Sequence, residues 1–206
     1  MTTIQTLFTP VAFGLALLGG CDSATNSTAV NDGLPNNSDM AASDMPSTSS
    51  NGTDPSTEAV TELVPIGDSG ARGEVRFVQQ GDIVKITGEV TGLQPGKHGF
   101  HVHAKGDLSD KQTGKSAGGH FDPTSQPHGK PSDTQRHVGD LGNIEANADG
   151  VATIDMQDDV ISLVGDNNIT GRSLMIHANS DQFTQPTGDA GGRVAFGLIE
   201  QVTSTP

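Results

Sequence analysis

The chain has 206 residues, with 25 acidic against 11 basic side chains and a formal net charge of −14 at pH 7. It contains no Trp or Tyr and only seven Phe. A nucleic-acid-binding role is therefore excluded, because the chain lacks both a basic face to neutralise phosphates and an aromatic platform for base stacking.

The chain begins with an apolar stretch of the length of a signal sequence. Residues 7–18 are mostly apolar and lead into Leu18-Gly19-Gly20-Cys21, which contains the only cysteine. This stretch is too short for a transmembrane helix and resembles a bacterial lipoprotein signal. We therefore expect residues 1–21 to be a signal peptide, with Cys21 acylated and the exported protein anchored to a membrane of the cell envelope or periplasm. No Lys or Arg precedes the stretch, so an ordinary secretory signal is the alternative.

Residues 22–62 have the composition of a tether. They are rich in Ser, Thr, Asn, Asp and Ala, and contain seven carboxylates but no Lys or Arg. Such a segment cannot bury enough apolar surface to fold, so we predict an acidic, disordered linker. The remaining residues, 63–206, have the length of one domain.

This domain is predicted to be all-β. Short runs with alternating polarity are separated by turn signals such as Gln80-Gly81-Asp82, and no segment has a helical period. The pattern favours an eight-stranded antiparallel Greek-key sandwich or flattened barrel. Two long excursions, residues 104–142 and 178–192, interrupt the strands and are expected to be functional loops. The predicted strands are 72–79, 83–90, 97–103, 143–146, 151–156, 160–164, 173–177 and 193–200.

Histidines are concentrated between His98 and Asp140, which include six of the seven in the chain. On a strand, His101 and His103 point the same way, about 6 to 7 Å apart, and His98 faces the opposite side. Two imidazoles so placed suit a transition metal, although an isolated pair also occurs as ordinary packing at a sheet edge. Three imidazoles and one carboxylate in the following loop suffice for a tetrahedral zinc site: they belong to His120, His128, His137 and Asp140.

Several motifs in this order resemble the copper/zinc superoxide dismutase family. They are G-F-H-V-H, A-G-G-H-F-D-P, R-H-V-G-D-L-G-N, L-M-I-H-A and T-G-D-A-G-G-R-V-A-F-G, and the similarity extends from about Leu63 to Val202. The resemblance implies a β-sandwich architecture, in agreement with the strand pattern.

The resemblance also implies a copper site and a zinc site that share one histidine. The copper positions match His101, His103, His120 and His177. The zinc positions match His120, His128, His137 and Asp140. Asp181 matches a carboxylate that would bond the outer nitrogens of His101 and His128. His98 matches a framework position that would brace the loop of His120 through a backbone hydrogen bond.

The implied activity is the dismutation of superoxide to dioxygen and hydrogen peroxide by alternate reduction and reoxidation of copper. His120 would be both ligand and proton relay, and Arg193 would guide the superoxide anion. The alternatives are a copper- or zinc-binding envelope protein without turnover, which would buffer or carry metal, and a sandwich that zinc merely stabilises.

Three further expectations concern departures from the family. Phe196 stands where the family has a disulfide cysteine, so we expect Phe196 to pack in the core and metal to contribute more to loop order. The short loop at 178–192 resembles the bacterial type and lacks charged steering residues. Lys111 or Lys115 would then supply the steering field, unless both are simply solvated loop lysines. A homodimer is also predicted, without an assigned face.

Overall fold

The computed structural model describes residues 57–203, in which β-strands and irregular loops account for nearly all of the chain. One short 3₁₀ turn, Lys115–Ala117, lies in the loop between the fourth and fifth strands. Among the described residues no helix is long and apolar enough to span a bilayer. The strands are β1 (Glu58–Pro65), β2 (Arg72–Gln80), β3 (Ile83–Thr91), β4 (Gly96–His103), β5 (Asp140–Ala146), β6 (Ala152–Asp158), β7 (Ser173–His177), β8 (Arg193–Leu198) and β9 (Glu200–Gln201).

The strands form one strongly curved antiparallel sheet in the order β5-β4-β7-β8-β1-β2-β3-β6, and β9 also pairs with β1. The two ends of this order, β5 and β6, lie close to each other, so the sheet is a nearly closed barrel. The all-β antiparallel fold is therefore confirmed. The long connections β4–β5 and β7–β8 are the two predicted functional loops, and both emerge beside β4 and β7.

Alternation of side chains along each strand fills the barrel. In β2, Val75 and Phe77 are fully buried, and their neighbours Glu74 and Arg76 are exposed. The two faces of a strand alternate residue by residue, so this pattern places the apolar side chains inside and the charged ones outside. Gly81, with φ 62°, makes the tight turn into β3 that the sequence predicts.

Residues 140–142, predicted as loop, begin β5, and two further segments differ from the sequence-based prediction. Residues 58–62, predicted as the end of the tether, belong to β1, where residues 58–63 pair with β2. Tether residues 22–56 and the signal peptide with Cys21 lie outside the described residues. The predicted strand 160–164 is a loop with a single bridge between Ser162 and Asn168. There, the Asp158 carboxylate accepts hydrogen bonds from two backbone N–H groups, which removes donors a ladder would need.

Strand β4 explains why the long loops matter. Six consecutive residues, from His98 to His103, are buried, although a barrel strand normally exposes every second side chain. Phe100 and Val102 belong to the barrel core. His101 and His103 lie on the opposite, outer face, and the two long loops cover them. The functional side chains therefore lie between the barrel wall and its loops.

Phe196 is fully buried, as predicted, but outside the main barrel core. It belongs to a second, smaller apolar cluster with Ile66, Ala117 and Met175, against which Leu108 also packs. Leu108 and Ala117 come from the β4–β5 loop, whereas the other members come from the β1 and β7–β8 side. This cluster therefore attaches the loop to the barrel by apolar packing, at a position where the family would use a disulfide.

We expect Phe196→Ala to lower the free energy of unfolding by about 3 to 5 kcal/mol, because the substitution leaves a cavity in a fully buried cluster. Urea denaturation of the metal-loaded protein measures this loss, and limited proteolysis should show faster cleavage within 104–139. Val202→Ala, at an exposed site, is the control. In the metal-free protein, reductant should leave the unfolding curve unchanged, because a chain with one cysteine forms no intramolecular disulfide. A loss below about 1 kcal/mol for Phe196→Ala would show that the cluster does not hold the loop.

Candidate metal centre

Four imidazoles meet on the outer face of β4. His101 and His103 come from β4, His177 ends the neighbouring strand β7, and His120 comes from the β4–β5 loop through a bridge with His103. One ring nitrogen of each lies within 4.8 Å of those of the others, and all four residues are buried. Gly99, on the same face, makes room for this packing, because a Cβ there would lie 2.8 Å from Ala190 Cβ.

The hydrogen bonds of these rings select which nitrogens face the common centre. His101 Nε2 lies 2.9 Å from Asp181 Oδ2, His103 Nδ1 lies 2.9 Å from the Gly118 carbonyl, and His177 Nδ1 lies 3.4 Å from the Gly191 carbonyl. The remaining nitrogens are His101 Nδ1, which is buried without a hydrogen-bond partner, and the Nε2 atoms of His103 and His177, 3.4 Å apart. Three nitrogens are thus left to converge on one point.

A second group forms around the carboxylate of Asp140. His120 Nδ1 and His137 Nδ1 lie 2.8 and 3.1 Å from Asp140 Oδ1, and His128 Nδ1 lies 2.9 Å from Oδ2. Backbone N–H groups of Gly129 and His137 also donate to Oδ2, each at 3.0 Å. Three imidazole nitrogens and one carboxylate therefore surround a single point, within 4.8 Å of one another.

His120 belongs to both groups. Its Nδ1 faces Asp140, and its ring lies beside those of His101 and His103, with centroids 4.1 and 5.1 Å from its own. An imidazole has only two nitrogens. Each nitrogen of His120 therefore serves a different group.

Asp181 connects the two groups through the ring nitrogens that do not face either centre. Its carboxylate lies 2.9 Å from His101 Nε2 and 3.0 Å from His128 Nε2, so it contacts one ring of each group. Gly188 permits this position, because a Cβ there would lie 1.8 Å from Asp181 Oδ1. A carboxylate on the outer nitrogen fixes the tautomer and orientation of a metal-binding histidine.

Arg193, at the start of β8, lies beside the first group. Its guanidinium donates hydrogen bonds to the carbonyls of Gly114 and Gly118, at 2.5 and 2.6 Å. It lines a surface cavity of about 400 Å³ together with Gln112, Thr113, Lys115, Gly191 and Gly192. The structure thus places Lys115, but not Lys111, in the wall of this cavity.

The sequence of this domain matches a known family. The family model described as copper/zinc superoxide dismutase covers residues 71–199, which is more than half of the chain. The chain belongs to the copper/zinc superoxide dismutase family.

Relatives in this family are similar over most of the domain. The chain is 48% identical over 134 residues to an extracellular Cu-Zn superoxide dismutase of Haemonchus contortus, an alignment that covers 62% of this chain and 72% of that protein. It is 47% identical over 137 residues to an extracellular Cu-Zn superoxide dismutase of Brugia pahangi, covering 62% and 68%. It is 42% identical over 141 residues to Cu-Zn superoxide dismutase 2 of Mesembryanthemum crystallinum, covering 65% and 89%. All three are eukaryotic.

The donor chemistry fits the two metals of the family. Four imidazoles suit copper, and three imidazoles with one carboxylate suit a tetrahedral zinc ion. The unpartnered, buried Nδ1 of His101 supports this fit, because a buried polar atom without a partner is costly unless it binds something.

His98 differs from its predicted role. Its Nδ1 lies 2.8 Å from the His177 carbonyl and its Nε2 lies 2.7 Å from the Gln94 carbonyl, so it does not brace the loop of His120. The side chain points away from the outer face of His101 and His103, as strand alternation predicts. On that side of β4, the His98 ring contacts the end of β7 and not the β4–β5 loop. His98 therefore supports the start of the β7–β8 loop.

Three supporting residues were not predicted from the sequence. Arg136 is buried, pairs with Asp158 at 2.5 Å and donates to the Asp140 carbonyl at 2.9 Å, which holds the second group to β6. Asp110 accepts backbone N–H bonds from Thr113 and Lys115 and so shapes the turn that presents Gly114 to Arg193. Gln185 binds the backbone of His128. Of these three residues, only Arg136 could have been found from the sequence, because it precedes His137 in the motif R-H-V-G-D-L-G-N.

Burial and neighbouring charges set the protonation of these side chains. Burial lowers the pKa of His177 to about 3, that of His120 to about 4 and that of His103 well below its usual value. Burial opposes the charge on His128 as well, but the Asp140 and Asp181 carboxylates raise its pKa to about 9. Most of the histidines with shifted pKa values are therefore neutral at pH 7, which is the form that binds metal.

These shifts predict how the metal-free protein responds to acid. The buried imidazoles of His120 and His177 resist protonation in the folded state, whereas in the unfolded chain they accept protons near pH 6.5. The unfolded state then binds more protons as pH falls, so the free energy of unfolding decreases. His128 acts in the opposite direction, because its stabilisation is complete below pH 6.5 and is lost as pH rises toward 9.

We therefore expect the metal-free protein to be most stable near about pH 6.5 and to lose at least about 2 kcal/mol by about pH 4.5. Urea denaturation of chelator-treated protein at a series of pH values measures this profile. The double variant His120→Asn, His177→Asn is the comparison and should lose much less over the same range. Equal acid sensitivity of the two proteins would contradict the assignment to these imidazoles.

Proposed function

We propose that this protein is a superoxide dismutase, which converts two superoxide anions and two protons to dioxygen and hydrogen peroxide. The observation that carries the proposal is the sharing of His120 by two groups of different donor chemistry. In this assignment copper is held by His101, His103, His120 and His177. Zinc is held by His120, His128, His137 and Asp140.

Copper, when bound, supplies one-electron chemistry between two valences, and zinc supplies charge without redox chemistry. The chain's own part is to orient ligands and to deliver protons. Asp140 and the backbone donors around it hold His120 Nδ1 in place. His120 Nε2, the nitrogen left for the copper group, would carry a proton to the departing oxygen species only while it is not bound to copper.

Arg193 recruits the substrate. The chain is acidic, so superoxide meets a repulsive surface except where a cation faces the site. Two carbonyl acceptors fix the plane of the Arg193 guanidinium, and the cavity beside it gives a small anion access. Burial lowers the pKa of Arg193, but the nearby Asp110 carboxylate counteracts this effect. A positioned guanidinium binds an anion both by charge and by hydrogen bonds.

We also propose export to the cell envelope. The names of the two nematode relatives, which are extracellular enzymes, support export. The finer proposal of a periplasmic, membrane-anchored lipoprotein of the bacterial type rests on the stretch ending at Cys21 and on the short loop at 178–192. A homodimer remains a prediction.

We expect Arg193→Ala to lower kcat/KM for superoxide at least about tenfold at low ionic strength, because the anion loses its local attraction. Arg193→Lys should retain part of the rate, since it keeps the charge but not the planar donors. Pulse radiolysis of protein loaded with both metals measures the rate, and metal analysis should show unchanged copper and zinc. Arg72→Ala, at the exposed end of β2, is the control.

The outcomes separate the candidate functions. A fully loaded wild-type protein that does not dismutate superoxide would support the alternative of a non-catalytic metal buffer or carrier. If the wild-type protein is active and Arg193→Ala leaves the rate unchanged, the dismutase function stands and the proposed role of Arg193 is wrong.

We expect Lys115→Gln to lower kcat/KM about two- to fivefold at low ionic strength, with the difference disappearing at high salt. Lys115 lines the cavity of Arg193. Lys97→Gln, at an exposed position of β4 outside the cavity, removes the same charge and should have little effect. Lys111→Gln tests the other lysine that the sequence analysis proposed for steering. Equal effects of all three substitutions would indicate net charge rather than local steering.

A further inference from the structure

Gln185 makes two hydrogen bonds to a single residue of the zinc group. The backbone N–H of His128 donates to Gln185 Oε1 at 3.0 Å, and Gln185 Nε2 donates to the His128 carbonyl at 2.7 Å. One carboxamide therefore satisfies both backbone polar groups of His128, in the manner of a neighbouring β-strand. Within residues 57–203, the N–H and C=O of His128 have no backbone partner.

The same loop also contacts the ring of His128. Asp181 lies 3.0 Å from its Nε2, and the Phe183 ring stacks on its face at a centroid distance of 6.3 Å and an angle of 17°. Phe183 has φ 57°, a backbone conformation that an aromatic residue rarely adopts without support. The β7–β8 loop therefore holds His128 by its backbone, its ring edge and its ring face.

His128 needs this support because its own segment lacks regular structure. It lies between Pro127 and Gly129 in the β4–β5 loop and belongs to no strand. The other three ligands are anchored without a side chain from the β7–β8 loop: Asp140 begins β5, and His120 forms a bridge with His103. The backbone N–H and carbonyl of His137 both bond to Asp140. Among the four, His128 is thus the ligand whose backbone position depends on a side chain of another loop.

We propose that Gln185 is a positioning residue for the zinc ligand His128, and that it couples zinc retention to closure of the β7–β8 loop. The inference rests on the proposed zinc assignment. Release of zinc requires His128 to move, and the Gln185 carboxamide resists that movement. Because such coupling is reciprocal, bound zinc also protects the β7–β8 loop against opening. That loop ends at Arg193, so zinc occupancy keeps the substrate-guiding arginine in place.

The test uses Gln185→Met, which preserves side-chain length but removes both hydrogen bonds. Gln182→Met is the matched control, because Gln182 lies in the same loop and its side chain bonds only to the Ser180 carbonyl. Release of zinc from the metal-loaded proteins to excess chelator should be about tenfold or more faster for Gln185→Met and within about twofold of wild type for Gln182→Met. Gln185→Glu, which retains only the acceptor, should be intermediate.

Hydrogen–deuterium exchange distinguishes positioning from simple loop stabilisation. In wild type and Gln182→Met, zinc should slow exchange of the amides in 178–192. In Gln185→Met this zinc-dependent protection should be largely lost, whereas a merely structural role would raise exchange equally with and without zinc. Cobalt bound in the zinc group gives a second readout, since a displaced His128 should shift its visible absorption bands.

A failure of the proposed zinc ligand set can be distinguished from a failure of the proposed role of Gln185. If the wild-type protein does not bind one zinc ion per chain, the proposed ligand set is wrong. If it binds zinc, but Gln185→Met and Gln182→Met release zinc at the same rate, the role of Gln185 is wrong and the ligand set stands.

Discussion

The structure depends on one imidazole that faces two different groups of donors. His120 can use Nδ1 toward Asp140 and Nε2 toward the other histidines only if both sides of its ring are held at fixed distances. A flexible loop cannot hold a ring in this way, so His120 is fixed by its bridge with β4 and by the neighbouring loop residues. The arrangement also concentrates buried nitrogens, which is unfavourable unless metal or carboxylates compensate. Asp140 and Asp181 supply the compensation in the protein itself.

The barrel contributes a rigid wall, and the two long loops contribute the enclosure. On β4, Phe100 and Val102 pack in the core, whereas His101 and His103 project outward beneath the loops. Ordered strands keep the two outward imidazoles at a fixed spacing, and the loops bring the remaining ligands to them. Gly99 and Gly188 permit the close approach, since a side chain at either would collide with residues of the centre. The centre is therefore built between elements that are distant in sequence.

Sequence patterns predicted the elements that obey a simple period and missed those set by tertiary contacts. The strands at 72–80 and 83–91 alternate clearly, so their prediction is confirmed. Strand β1 was not predicted, because residues 58–62 have the polar composition of the segment before them and form a strand by pairing with distant strands. The apolar run at 160–164 satisfies a strand pattern locally, but Asp158 binds its backbone donors.

The candidate site was predictable because histidine and aspartate spacing is a property of the sequence. Every residue predicted as a ligand lies in one of the two groups, and Asp181 reaches both rings as expected. Gln185 and Asp110 were not predictable, since a polar residue in a loop gives no sign of which backbone it will bind. The role of His98 was wrong for a related reason: alternation gives the face of a strand, but not the carbonyl that lies opposite.

The absence of the family disulfide changes how the loops are held. Phe196 and its cluster fix one part of the β4–β5 loop to the barrel by apolar contact, and Arg193 binds two carbonyls of the same loop. Gln185 and Asp181 then join the β7–β8 loop to His128 of the second group of ligands. A disulfide would restrict the unfolded chain regardless of metal. Non-covalent contacts act only in the folded state. The order of the two loops therefore depends on side-chain packing and on metal bound to the ligand residues. The order of Arg193 should therefore follow the metal content of the protein, and reduction of a disulfide plays no part in it.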